Sequence, residues 1–271
     1  MSQHALRHLR ETELRLKDSV IPVYRQVPKG TPELIGSAVL LRICDATFLC
    51  TAAHVLESRD GANVYLPHGD TLQPFAGQLH VTQVPSTGRR DDDKYDFALD
   101  RLDPERAARF VKYRFITLDQ IDQNEVPKVG RLYTFIGYPA SKNKSRFGTD
   151  KIQPEVVTYT GGPLGPIEYE RYGFNLSSHL QVDFNMKKMS DREGRTVKPI
   201  DPHGVSGGAV WKTADLPELE AGTNAEQFVG IAMECRRNAL IAVRVSLILE
   251  TIRSLHEDLA HSIPRSLWVR M

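Results

Sequence analysis

Asp201-Pro202-His203-Gly204-Val205-Ser206-Gly207-Gly208-Ala209-Val210 sets one serine among three glycines, directly before an apolar run that continues into Trp211. Gly204 lets the backbone bend so that amide N–H groups point outward. Gly207 and Gly208 leave room beside the hydroxyl for a substrate carbonyl, where a larger residue would meet steric cost. The amides of Gly204 and Ser206 can together form an oxyanion hole. A serine hydroxyl becomes a nucleophile only with a base and an acid that orients it. The rest of the chain must supply both.

The string alone has other readings. Gly-x-Ser-x-Gly also describes the strand-to-helix elbow of the α/β-hydrolases, and a glycine-rich turn needs no chemistry at all. An elbow fold would run serine, acid, histidine along the chain. Only 65 residues follow Ser206, and the histidines among them, His256 and His261, lie in or after a helical pattern. The strand–helix alternation of a parallel sheet is missing too.

Around Ser206 the texture is β. Val20–Tyr24, Gly36–Ile43, Phe48–Thr51, Asn63–Pro67, Gln78–Val84 and Phe97–Leu102 are short runs of branched and aromatic residues separated by turn residues. Arg131–Tyr138, Val156–Thr160, Leu180–Phe184, Ala209–Lys212, Phe228–Met233 and Leu240–Val245 repeat the pattern after a polar stretch. Strands at this spacing, without long helices between them, read as antiparallel sandwich or barrel. The expected organisation is an N-terminal extension over 1–19, a first barrel over 20–110, a crossover over 111–128, a second barrel over 129–245, and a helix with tail over 246–271. Residues 5–17 read as a short charged helix, either docked or frayed. In the last segment Ser246 is the expected N-cap, and Ile248, Ile252, Leu255 and Leu259 form the helical stripe. The basic loops 140–150 and 187–198, and the run Asp91-Asp92-Asp93-Lys94, read as solvated turns.

Composition narrows the function classes. With 271 residues, 41% of them hydrophobic, the chain can fill one large or two small cores. A net charge of +1 makes no case for a nucleic-acid or membrane partner. Three cysteines, Cys44, Cys50 and Cys235, cannot all pair and match no zinc spacing, so a reduced, cytoplasmic setting is expected. Residues 1–18 lack the apolar segment of a signal peptide. No apolar run nears the roughly 18 residues that span a bilayer.

Two more stretches carry candidates. Phe48-Leu49-Cys50-Thr51-Ala52-Ala53-His54-Val55 runs an apolar strand into a histidine behind two alanines, which let another side chain approach the ring. Tyr95-Asp96-Phe97-Ala98-Leu99 places an acid among apolar neighbours. A carboxylate there needs a partner, and a histidine N–H would serve. Alone, His54 reads as a buried core histidine and Asp96 as a turn cap. Asp93, in the acidic run, and Asp100, beside Arg101, compete with Asp96.

Thr51-Ala52-Ala53-His54, then Asp96-Phe97-Ala98-Leu99, then Gly204-Val205-Ser206-Gly207-Gly208, in that order, resemble the trypsin-like serine proteases of chymotrypsin fold. Gly36-Ser37-Ala38-Val39-Leu40, Ile136-Gly137-Tyr138-Pro139, Val229-Gly230-Ile231 and Val243-Arg244-Val245 extend the resemblance over about residues 20–255, and it points to bacterial intracellular members. Spacings of 42 residues from His54 to Asp96 and 110 from Asp96 to Ser206 suit one barrel carrying histidine and acid and a second carrying serine. The resemblance implies an all-β fold of two antiparallel six-stranded barrels with a C-terminal helix. It implies a serine endopeptidase with His54, Asp96 and Ser206 as its triad, Gly204 and Ser206 as its oxyanion hole, and no metal or cofactor. Ile200, Asp201, His203, Met233, Glu234 and Leu240 would line the substrate pocket. Partners would be a protein or peptide substrate and a regulatory protein.

The departures from that family shape the expectations. Val55 and Val205 stand where secreted members carry a cysteine and an acid. That acid receives a newly freed α-amino group, so the Val205 loop must be ordered otherwise, by apolar packing, by a partner, or by residues 1–18. Ile200 stands where an acid would select basic side chains, and Leu240 would narrow the slot, so an apolar preference is expected. Asp201 and Glu234 keep a basic preference open. The rival class is an inactive protease-fold module that binds a peptide or partner.

Overall fold

The computed structural model describes residues 2–269 except 27–31, 58–62, 70, 144–153, 186–188, 190–194, 197–199 and 222–225. The branched and aromatic runs pair as strands. The first set comprises β1 (Val20–Arg25), β2 (Glu33–Ile43), β3 (Ala46–Ala52), β4 (Val64–His68), β5 (Thr71–Pro74), β6 (Leu79–Val81), β7 (Phe97–Leu102) and β8 (Ile116–Thr117). The second comprises β9 (Arg131–Gly137), β10 (Val157–Gly161), β11 (His179–Asp183), β12 (Ala209–Asp215), β13 (Gln227–Arg236) and β14 (Ala239–Arg244). Helices are α1 (Gln3–Leu16), α2 (Ala53–Leu56), α3 (Pro104–Ala108), α4 (Pro166–Tyr172), α5 (Leu216–Ala221) and α6 (Val245–Leu255).

The strands form two curled antiparallel sheets, each a half-barrel. The first runs β5-β4-β1-β2-β3-β7-β6, with β8 added parallel to β2; the second runs β10-β9-β12-β13-β14-β11. The all-β expectation with a C-terminal helix holds. The six-strand count holds for the second sheet and falls short for the first. There the polar run Thr71–Pro74 pairs with β4 and makes a seventh strand on the path, and β8 beside β2 is an eighth.

β3 is buried along its whole length because it has interior on both faces. Leu49 and Ala52 face a cluster inside the first half-barrel with Ala38, Leu40 and Val55. Phe48 and Cys50 face a cluster between the sheets that holds Val39, Leu41, Ile136, Trp211, Phe228 and the apolar stripe of α6. A third cluster, with Phe135, Val182, Val205, Val210 and Leu240, fills the second half-barrel. Each fully buried Leu, Val or Phe contributes roughly 1.5–3 kcal/mol, so the shared core between the sheets holds the two halves together.

Both ends differ in detail from the expectation. α6 starts at Val245 with Arg244 in the cap position and no side-chain cap; Ser246 is inside the helix and buried, its hydroxyl without a partner among the described residues. Ile248, Ile252 and Leu259 pack inward, whereas Leu255 is 44% exposed. At the other end α1 docks. Leu9 packs with Ala214 and Leu219 of the second half, and the Thr12 hydroxyl and Arg15 both bond Glu226. No helix among the described residues is long and apolar enough to cross a membrane. Cys44, Cys50 and Cys235 are free thiols.

Candidate active site

His54 sits on α2, the single turn that follows β3. Three bonds fix it to Asp96. The Ala53 amide donates to the Asp96 carbonyl at 3.1 Å, and the His54 amide donates to Asp96 Oδ1 at 2.9 Å. The ring Nδ1–H donates to Asp96 Oδ2 at 2.5 Å. A carboxylate only accepts, so Nδ1 carries the proton, and in the neutral ring Nε2 is then the acceptor. Asp96 reaches this position from a left-handed backbone, φ +37°, which an aspartate tolerates better than a branched residue. Its side chain is 9% exposed, against 36% for the ring, so the acid lies behind the histidine and the histidine faces solvent.

The competing acids are occupied elsewhere. Asp93 is buried, contrary to its expected exposure in a solvated run. It accepts from Thr82, Arg90 and the Tyr95 amide. Burial pushes its carboxyl up, and these bonds outweigh it and hold it below the usual range. Asp100 pairs with Arg106, and its expected neighbour Arg101 pairs with Asp258. Burial raises the Asp100 carboxyl despite the arginine.

Ser206 lies on the second half, before β12, and lines the same open cleft as His54 and Asp96. The loop around it is held peptide by peptide. His203 C=O accepts from Ala140 at 2.8 Å, and Val205 C=O accepts from Gly208 at 2.9 Å. In a trans peptide the N–H points opposite to the C=O. The next amides, those of Gly204 and Ser206, therefore point away from these anchors, and neither donates to another described residue. Gly204 has φ +96°, and a Cβ there would come within 2.7 Å of the Tyr138 carbonyl. Only glycine fits that turn. Two outward amides beside a hydroxyl make a receptor for a developing oxyanion.

Val205 points the other way. It is buried in the second half's apolar cluster, and a Cβ on Gly137 would come within 2.9 Å of it. Apolar packing of Val205 and the backbone bonds above both hold the loop, and α1 docks on α5 with no described bond to it.

Of the residues expected in the substrate pocket, Ile200, Asp201, His203, Met233 and Glu234 line the cleft. Leu240 does not. β14 turns it into the second core, opposite Val182, so it cannot narrow the slot. The Ile200 carbonyl is tied to the Tyr159 hydroxyl at 3.0 Å. Asp201 accepts from the His203 amide at 3.0 Å, and Glu234 pairs with Arg236 at 2.9 Å. Cys235 lines the wall between them. The thiol is exposed, yet desolvation by the surrounding wall first, then the Asp201 and Glu234 charges, push it up to about 11, which disfavours the thiolate. The loop 187–198 lies largely outside the described residues.

Ser37 escaped the sequence reading as a site residue. Its hydroxyl donates to Gly204 C=O at 2.9 Å, and its amide donates to Ser206 C=O at 2.8 Å. The one available signal was a small polar residue inside the apolar run Leu34–Ile43. No metal-ligating cluster occurs among the described residues. No protein-family model matches the chain, and no curated protein matches it.

Proposed function

We propose that the chain is a serine endopeptidase of the trypsin-like kind. The observation that carries this reading is the 2.5 Å His54–Asp96 bond in a cleft shared with Ser206 and its outward amides. Ser206 Oγ attacks a peptide carbonyl while its proton passes to His54 Nε2. The carbonyl oxygen gains negative charge and is received by the Gly204 and Ser206 amides. Asp96 holds the tautomer and stabilises the imidazolium. His54 then gives the proton to the departing amine as the C–N bond breaks, leaving an ester on Ser206. Water, deprotonated by His54, cleaves the ester and restores the hydroxyl.

The test is a fluorophosphonate probe, which loses fluoride as Ser206 Oγ bonds phosphorus. The full-length protein is expected to be labelled and Ser206→Ala is not. Absence of labelling in the unaltered chain would favour an inactive peptide-binding module.

Two expectations follow from the site. Val205 offers no charge to an inserted α-amino group, and an unpaired ammonium beside it would be strongly unfavourable. Mass spectrometry should therefore find the probe on chains beginning at Met1 or Ser2. Probe found solely on shortened chains would reject this. The pocket wall offers an apolar Ile200 where an acid would select basic side chains, and Glu234 is engaged by Arg236, although Asp201 keeps its charge. A peptide library should show apolar side chains before the cut; dominance of Lys or Arg would reject that.

A further inference from the structure

We infer that Ser37 is a positioning residue for catalysis, holding the oxyanion loop in register with the histidine. This rests on the protease reading above. Ser37 lies on β2 of the first half and is fully buried. Its hydroxyl accepts from the Tyr138 amide at 2.9 Å and donates to Gly204 C=O at 2.9 Å. Its amide donates to Ser206 C=O at 2.8 Å. Its own carbonyl accepts from the Thr51 hydroxyl at 2.6 Å.

Ala140, Pro202, Gly208 and Ala232 hold the loop from within the second half. Among the described hydrogen bonds to the backbone of 203–208, Ser37 alone comes from the first half, which carries His54 and Asp96. A continuous path of bonds runs from Ser206 through Ser37 to Thr51, three residues before His54. Nucleophile and base come from different sheets, and this path sets their separation.

The hydroxyl has a separate task. Gly204 has the conformational freedom that its φ of +96° requires, and the same freedom makes rotation of the 204–205 peptide cheap. Rotation would swing Gly204 C=O away from Ser37 and the Val205 N–H away from Pro202 C=O, disturbing the loop whose amides must receive negative charge. Pro202 holds the amide end of this peptide, and Ser37 holds its carbonyl end while accepting from the buried Tyr138 amide. Alanine would keep the backbone bond to Ser206 and leave Tyr138 N–H and Gly204 C=O unpaired, which strongly favours rearrangement.

The experiment compares wild type, Ser37→Ala and Thr213→Val as full-length chains. Thr213→Val removes a buried hydroxyl that bonds Thr134 and the Leu132 carbonyl in the second half. It measures the effect of general loosening. The readouts are the thermal midpoint and the saturable rate of fluorophosphonate labelling. Ser37→Ala is expected to lower the limiting rate about 10²-fold, as removal of an oxyanion donor does, with half-saturation unchanged. Thr213→Val is expected to lower the midpoint and label at the wild-type rate. Ser37→Cys keeps the shape and a weak donor; an approximately 10-fold loss is expected, and it decides the matter if Ser37→Ala does not fold. Wild-type rates in the Ser37 variants, or equal slowing in Thr213→Val, would overturn the inference and leave the protease reading standing. An unlabelled wild type would sink both.

Discussion

Under the protease reading, Ser206→Ala and His54→Ala are each expected to lower peptide turnover by about 10⁶-fold, with the folded state intact. That is roughly 8 kcal/mol of transition-state stabilisation. The two residues act as one unit, so the double variant costs little more than either single one. The reason is local: without His54 Nε2 the hydroxyl keeps its proton, and without Oγ there is nothing for the base to activate. Steady-state rates on a cleaved peptide, with circular dichroism as the fold control, check this. A His54→Ala chain that retained a tenth of the activity would mean that another group serves as base.

Asp96→Asn is expected to cost on the order of 10⁴-fold. The amide fills the same space, but its NH₂ can face His54 Nδ1 only if Nδ1 is unprotonated. The proton then sits on Nε2, where Ser206 needs an acceptor. Asp93→Asn is the paired measurement. Asp93 holds Thr82, Arg90 and the Tyr95 amide, so its loss should act on stability and leave turnover within a few-fold. If Asp96→Asn kept full activity while Asp93→Asn lost it, the acid would be misassigned.

The order and spacing of His54, Asp96 and Ser206 were readable because each sits in a short, compositionally odd stretch. The two-sheet architecture was readable from twelve branched and aromatic runs. What escaped depended on pairing, capping and side-chain folding that composition alone does not show. Thr71–Pro74 has weak strand character and becomes one by pairing with β4. Pro166–Tyr172 carries no assignment from its sequence, yet Pro166 opens a helix that Gly173 closes from a left-handed conformation, φ +73°. Leu240 was placed by analogy of position, and its side is decided by the alternation of β14, which sends it inward. Asp93 looked solvated from its neighbours, and it is the Arg90 side chain folding back over it that makes burial tolerable. Ser37 could not be recognised as a site residue, because both carbonyls it holds lie more than 160 residues away.

The docking of α1 has a consequence for biosynthesis. Thr12 finds its partner Glu226 across 214 residues of chain. At roughly 5–20 residues per second, the ribosome takes about 10–40 s to deliver that partner. During this interval α1 has emerged with Leu9 uncovered, since Ala214 and Leu219 are not yet made. Strands β1 to β7 can pair among themselves in the same window, because every strand of that path lies within residues 20–102. The first half therefore assembles with a charged helix at its front whose Leu9 stays uncovered until the second half arrives to receive it.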